Sequence, residues 1–248
     1  MLQWWQRFFG GVGMTVGILY LHGFSGGTYE ITPLQQYLNQ YGYPSKAPTL
    51  TGHGEVLHLR GCKAEHWLKD AELSYRKLAK RVDEVIVVGF SMGGVLALYL
   101  AMRYPVKKLV LLSPAIKYIE PKQLVKDAAI FASQGYQMKM DATFQRYAFK
   151  FGQVPIQAAM AFMQVVAQVS PYLKCVTAPM KIVQGQLDGL VPYTTANYLY
   201  KEVASLDKRL YFSPTGKHHI CFSEDCEIWF EKVAQFINDK SLIIENEA

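Results

Sequence analysis

The sequence predicts an α/β domain, a mainly parallel twisted sheet with helices on both faces. Three observations predict it. Short apolar runs alternate with stretches of helical periodicity. A Gly-rich turn joins one such run directly to a helix. A long helical stretch interrupts the alternation before the last two runs. The runs are residues 16–21 (VGILYL), 84–88 (EVIVV), 109–112 (LVLL), 180–183 (MKIV) and 209–212 (RLYF). Short runs rich in Val, Ile and Leu read as strands buried on both faces. Residues 64–82 place Leu68, Ala71, Tyr75, Leu78, Ala79 and Val82 on one helical face, and residues 225–239 do the same with Trp229, Val233, Phe236 and Ile237. Strands alternating with helices imply a parallel sheet, because each crossover has to bring the chain back to the same edge.

Composition bounds the function. Half of the 248 residues are apolar and 19% are charged, which excludes a disordered chain and suits a single domain over residues 1–248. The net charge is 26 − 20 = +6, but its basic clusters are as short as Lys107-Lys108 and Lys80-Arg81. Scattered charge of this kind reads as a solvated surface, so no nucleic-acid partner is expected. The four cysteines (Cys62, Cys175, Cys221 and Cys226) form no CxxC pair. Free thiols in a reducing cytoplasm are the expected reading. Residues 8–21 are apolar behind Arg7, as in a signal peptide, yet they hold four glycines and run straight into His22-Gly23. Fourteen residues are too few to span a bilayer. A buried strand is expected there, with Trp4, Trp5, Phe8 and Phe9 packed on the domain and no stable membrane insertion.

About 65 residues separate the strand ending near Ser113 from the one starting near Met180. That length exceeds a simple crossover. Residues 122–133, 141–151 and 155–169 are the candidate helices, and the whole insertion, about 115–175, reads as a helical lid over the carboxyl ends of the strands. Open α/β sheets bind their ligands at those ends. In the third helix Ile156, Met160, Met163 and Val166-Ala167 share a face. Methionine adapts to variable shapes, so Met160 and Met163 are expected to line a substrate pocket.

The chemistry starts at Gly89-Phe90-Ser91-Met92-Gly93. A GxSxG segment between a strand and the helix of residues 94–103 describes a nucleophile elbow, in which the serine stands at the top of the sheet on a helix N-terminus. A serine hydroxyl needs a base, and the base needs an orienting acid. In folds of this kind the chain order is Ser, Asp or Glu, His. Asp188 follows the run MKIV in a turn. Of six histidines, only His218 and His219 follow Ser91, both in the loop after RLYF. The residues alone leave the base open between those two. Acyl transfer also needs two backbone N–H donors for the oxyanion. Met92, next to the nucleophile, supplies one. Phe24, in the loop after the first strand, supplies the other. His22 is expected to brace that loop and His53 to sit in a structural turn. No spacing of His, Cys, Asp and Glu reads as a metal site, and no GxGxxG or GxxxxGK[ST] reads as a nucleotide site, so no cofactor is expected.

The ordered set LHGFSG, TGHG, GFSMGG, QLD and KHHI resembles the bacterial carboxylesterase and monoacylglycerol lipase branch of the α/β-hydrolases. The resemblance runs from about Gly17 to the terminal helix. It implies an α/β-hydrolase core with a small helical cap, no cofactor, and hydrolysis of short- to medium-chain esters. It places the nucleophile on Ser91, the acid on Asp188 and the base on His218, with Phe24 and Met92 as oxyanion donors. The chain departs from the branch directly after the base, where His219 stands in place of a valine. Taking the loop as extended, with alternating side chains, His219 is expected to face the rim and touch the substrate. A small-molecule ester is thus the expected partner.

Overall fold

The structure, a computed structural model, describes residues 14–117 and 154–239. The expected helices at 122–133 and 141–151, most of the expected lid, and Trp4, Trp5, Phe8 and Phe9 lie outside the described residues.

Six parallel strands form one sheet in the order β2-β1-β3-β4-β5-β6. They are β1 (Val16–Leu21), β2 (Ser45–Lys46), β3 (Glu84–Phe90), β4 (Val106–Leu112), β5 (Met180–Gly185) and β6 (Lys208–Ser213). The helices are α1 (Thr32–Asn39), α2 (Ala64–Ala79), α3 (Met92–Arg103), α4 (Ile156–Val169), α5 (Thr194–Glu202) and α6 (Cys226–Asn238). The five expected runs are all strands. The edge strand β2 and the helices α1 and α5 are not among the expected elements. Two residues make β2, too few for any period, and it is held by Ile18 and Leu19 of β1.

The period of two along each strand divides the core. Leu19, Leu21, Val87, Leu109, Leu111, Met180 and Ile182 pack on one side with α2, α3, α4 and α5. Ile18, Tyr20, Ile86, Val88, Phe90, Val110, Leu112 and Val183 pack on the other with α1 and α6. Trp67 of α2 and Trp229 of α6 are the largest fully buried side chains, one per side. Each buried aromatic removes roughly 150–250 Å² from water, so both layers are anchored by area as well as shape. Lys108 is a buried cation in β4. Its Nζ donates to the carbonyl oxygens of Phe236 (2.6 Å), Ile237 (3.3 Å) and Asp239 (2.5 Å). Phe236 and Ile237 lie in the last turn of α6, where carbonyls lack helical partners, and Asp239 caps it, so one lysine closes that helix against the sheet.

The chain leaves β1 toward β2 on one side and returns as β3 on the other. This makes the carboxyl ends of β1 and β3 the point where the strand order reverses, the place where such sheets bind ligands. Register aligns the ends: Leu21 lies beside Gly89, and Phe90 beside Leu112. The loop of residues 22–27 therefore starts next to the turn at Ser91.

Candidate active site

Ser91 sits between β3 and α3 with φ 52° and ψ −115°. A non-glycine residue in the left-handed region is strained, and such strain persists only where the surroundings impose it. Here they do. A Cβ on Gly89 would lie 2.2 Å from the carbonyl oxygen of Gly93, and one on Gly93 would lie 2.0 Å from that of Leu21. Both glycines are required for strand, turn and helix to approach this closely. The Met92 N–H belongs to the first turn of α3 and has no helical acceptor.

Ser91 Oγ lies 3.0 Å from His218 Nε2, and His218 Nδ1 lies 2.9 Å from Asp188 Oδ2. The side chains of His218 and Asp188 are 8% and 0% exposed. Asp188 is satisfied on both oxygens. Oδ1 accepts the N–H groups of Leu190 and Val191, each at 2.9 Å, and Oδ2 accepts His218 and the Gln184 amide at 3.0 Å. Burial pushes the Asp188 carboxyl up. The His218 charge, its hydrogen bond and the two N–H donors outweigh burial, and the net shift is downward. Burial likewise pulls His218 down, while the Asp188 charge and hydrogen bond win and raise it. Asp188 is thus both a turn-capping residue and the partner of His218. Its ionised form suits an imidazole that receives a proton at Nε2, because the carboxylate stabilises the resulting imidazolium.

The loop carrying His218 is tied down by Asp225, which accepts the hydroxyls of Ser213 (2.6 Å), Thr215 (2.8 Å) and Tyr211 (3.2 Å). On the opposite side, His22 is fully buried. Its Nε2 accepts the Leu50 N–H at 3.0 Å, so Nδ1 carries the proton and donates to the Gly23 carbonyl at 2.8 Å. The loop bearing Phe24 is braced as the sequence predicts. Phe24 is buried among the rings of His53, Trp67 and Phe162, and it stacks on Phe162 at 5.3 Å and 18°. Burial, and then the nearby His22, lower the His53 imidazole to about 4, so His53 is neutral near pH 7.

Two expectations about side-chain direction change. The first concerns α4. Its packed face is Ala158, Ala161, Phe162, Val165, Val166 and Val169, whereas Ile156 and Met160 are 76% and 59% exposed and Met163 is half-buried. The helix is apolar nearly all round, so its periodicity did not select a face. Close approach to α2 and α3 favours the small residues, and the Phe162–Phe24 stack fixes the rotation. Met160 instead lines an open groove with Arg60, Lys63 and Pro155 that includes none of Ser91, Asp188 and His218. The second concerns His219. Its side chain is 14% exposed, and its Nε2 lies 3.1 Å from Oε1 of the buried Glu30. The chain is not extended there. A 3₁₀ turn (Ile220–Phe222) begins at once, with the Ile220 N–H on the His218 carbonyl at 2.8 Å, and both imidazoles lie against Phe90, 5.1 Å and 5.7 Å away. Ile220 is buried, but Phe222 is 49% exposed.

Gln184 and Glu30 are the site residues that the sequence analysis did not name. Gln184 left a signal, an uncharged polar residue ending a strand buried on both faces. Glu30 left none. Among the described residues, no group of three or more His, Cys, Asp or Glu is placed to hold a metal, and no helix is long and apolar enough to cross a membrane.

A doubly covered parallel sheet with Ser91 on a strained elbow and the His218–Asp188 pair beside it defines an α/β-hydrolase. The chain belongs to the Hydrolase_4 family, described as serine aminopeptidase S33, whose model matches residues 16–225. It is 26% identical over 228 residues to a carboxylesterase of Bacillus subtilis (strain 168), covering 89% of this chain and 91% of that one. It is 25% identical over 236 residues to a thermostable monoacylglycerol lipase of Bacillus sp. (strain H-257), covering 89% and 90%. An esterase from Exiguobacterium antarcticum has the same fold, with a TM-score of 0.70 at 17% identity, covering 92% of this chain and 94% of that one.

Proposed function

We propose that this protein is a serine carboxylesterase that hydrolyses short- to medium-chain carboxylic esters through an acyl-enzyme. The observation that carries the reading is the continuous relay from Ser91 Oγ to His218 Nε2 and from His218 Nδ1 to Asp188 Oδ2. In acylation, Ser91 Oγ attacks the ester carbonyl carbon as its proton passes to His218 Nε2. The N–H groups of Phe24 and Met92 hold the oxyanion. The carbon–oxygen bond to the leaving alcohol breaks, and His218 returns the proton to that alcohol. Water then repeats the sequence on the acyl-enzyme, giving the carboxylic acid and free Ser91. The carboxylesterase and lipase relatives support an ester rather than an amide as substrate. A cytoplasmic location completes the reading.

The test is turnover of p-nitrophenyl esters across a chain-length series from acetate to palmitate, together with a monoacylglycerol and an amino-acid p-nitroanilide. A maximum among the shorter esters supports the proposal. A maximum on the monoacylglycerol favours the lipase relative's chemistry. Cleavage of the anilide without ester turnover would overturn the proposal in favour of a peptidase.

A further inference from the structure

The Glu30 carboxylate is fully buried and reaches both halves of the site. Oε2 accepts the Gly23 N–H at 2.9 Å, and Oε1 takes the Nε2–H of His219 at 3.1 Å. Gly23 directly precedes Phe24, and His219 directly follows His218. One side chain therefore joins the loop that presents an oxyanion donor to the loop that presents the base, across 189 residues of sequence. The loop is shaped around it. A Cβ on Gly26 would fall 2.0 Å from Glu30 Oε2, so the carboxylate rests directly on the loop backbone. Phe90, immediately before Ser91, contacts both histidine rings and closes the arrangement on the nucleophile side.

We propose that Glu30 is a positioning residue for hydrolysis and that His219 is its partner. Together they hold the Phe24 amide and the His218 imidazole at a fixed separation across Ser91. Burial raises the Glu30 carboxyl. The hydrogen bond and electrostatic attraction of His219, together with the Gly23 N–H, outweigh it, and the carboxylate stays ionised. The titratable groups facing it are His22 from the loop after β1, His53 from the turn after β2, and His218, His219 and Cys221 from the segment after β6. The Glu30 charge also favours the protonated form of His218. An uncharged amide cannot serve both donors equally, since it offers one accepting oxygen and one donating nitrogen.

The kinetic part of the test rests on the esterase reading, and the spectroscopic part does not. For p-nitrophenyl butyrate, Glu30→Gln should lower kcat about ten- to a hundredfold with KM changed less than about threefold, as expected when reacting groups are displaced by an ångström or less. His219→Ala should fall in the same direction. His219→Gln, which keeps a donor near the Nε2 position, should recover most of that loss. The His218 imidazole, followed by NMR in all variants, should titrate at lower pH in Glu30→Gln than in the wild type. Unchanged kcat in Glu30→Gln, or a lost kcat with an unmoved His218 titration, overturns the proposal. If Glu30→Gln does not fold, the His219→Ala and His219→Gln pair decides, and equal activity of the two overturns it. If the wild-type protein turns over no ester, the esterase reading fails and the His218 titration alone decides the role of Glu30.

Discussion

Gln184 and His218 donate to the same carboxylate oxygen, Oδ2 of Asp188, at 3.0 Å and 2.9 Å. The Gln184 amide nitrogen also reaches the Val191 carbonyl at 3.2 Å. Carboxylate and carbonyl oxygens only accept here, so both contacts fix the nitrogen end of the amide toward Asp188. Gln184 thus anchors the acid from the end of β5 while the turn at Leu190 and Val191 anchors its other oxygen. Gln184→Leu removes that donor and leaves a buried carboxylate short of one partner, a loss of about 1–3 kcal/mol. Steady-state kinetics should show roughly a tenfold or greater fall in kcat/KM. Wild-type activity in this variant would show that the turn alone is sufficient.

Ser91→Ala should abolish ester turnover in a folded protein, with kcat lower by on the order of 10⁴ to 10⁶, because the three groups act as a unit. A fluorophosphonate should label the wild type at Ser91 and leave Ser91→Ala unlabelled, read by mass spectrometry of the peptide. His218→Ala should match the kinetic loss.

The two sides of α4 should respond differently. Phe162 is 5% exposed and stacked on Phe24, so Phe162→Ala should cost about 3–5 kcal/mol in the urea-unfolding free energy. It should also depress kcat through the loop that Phe24 belongs to. Met160→Ala, on the exposed side, should change stability by less than about 0.5 kcal/mol. A large stability loss in Met160→Ala would mean that this face is covered.

The dependence on pH follows from the shifts. His218 is held above the ordinary imidazole value of 6.5, and it must be unprotonated to accept the Ser91 proton. The acid limb of kcat/KM should therefore have its midpoint above 6.5. Stability behaves differently for the acids. Asp188 and Glu30 are held below their unfolded values of 3.8 and 4.5, so their contribution is complete above those values and is lost as pH falls through the lower folded ones. His218 has the opposite sign: its contribution is complete below 6.5 and is lost as pH rises through its raised value. Urea midpoints measured across the acid range should drop steeply below pH 4.5.

Much of the core and of the site is local in the chain, and local features are legible. The runs VGILYL, EVIVV and MKIV read as strands because a strand buried on both faces needs a continuous apolar run, and GFSMG reads as an elbow because only glycine permits that approach of strand and helix. Ser91, Asp188, His22 and Phe24 could be placed from their positions after such strands. Three matters belonged to the tertiary structure. The packed face of α4 was one, because Ile156, Met160 and Phe162 are equally apolar, and which of them is buried depends on what α2, α3 and Phe24 present to the helix. The direction of His219 was another, set by a 3₁₀ turn that nothing in KHHI announces. The last was Glu30, whose carboxylate meets a partner 189 residues away. A pattern of neighbours along the chain encodes burial and local turns. A buried charge is located by the donors that surround it, and those converge only when the sheet brings the ends of β1, β3 and β6 together.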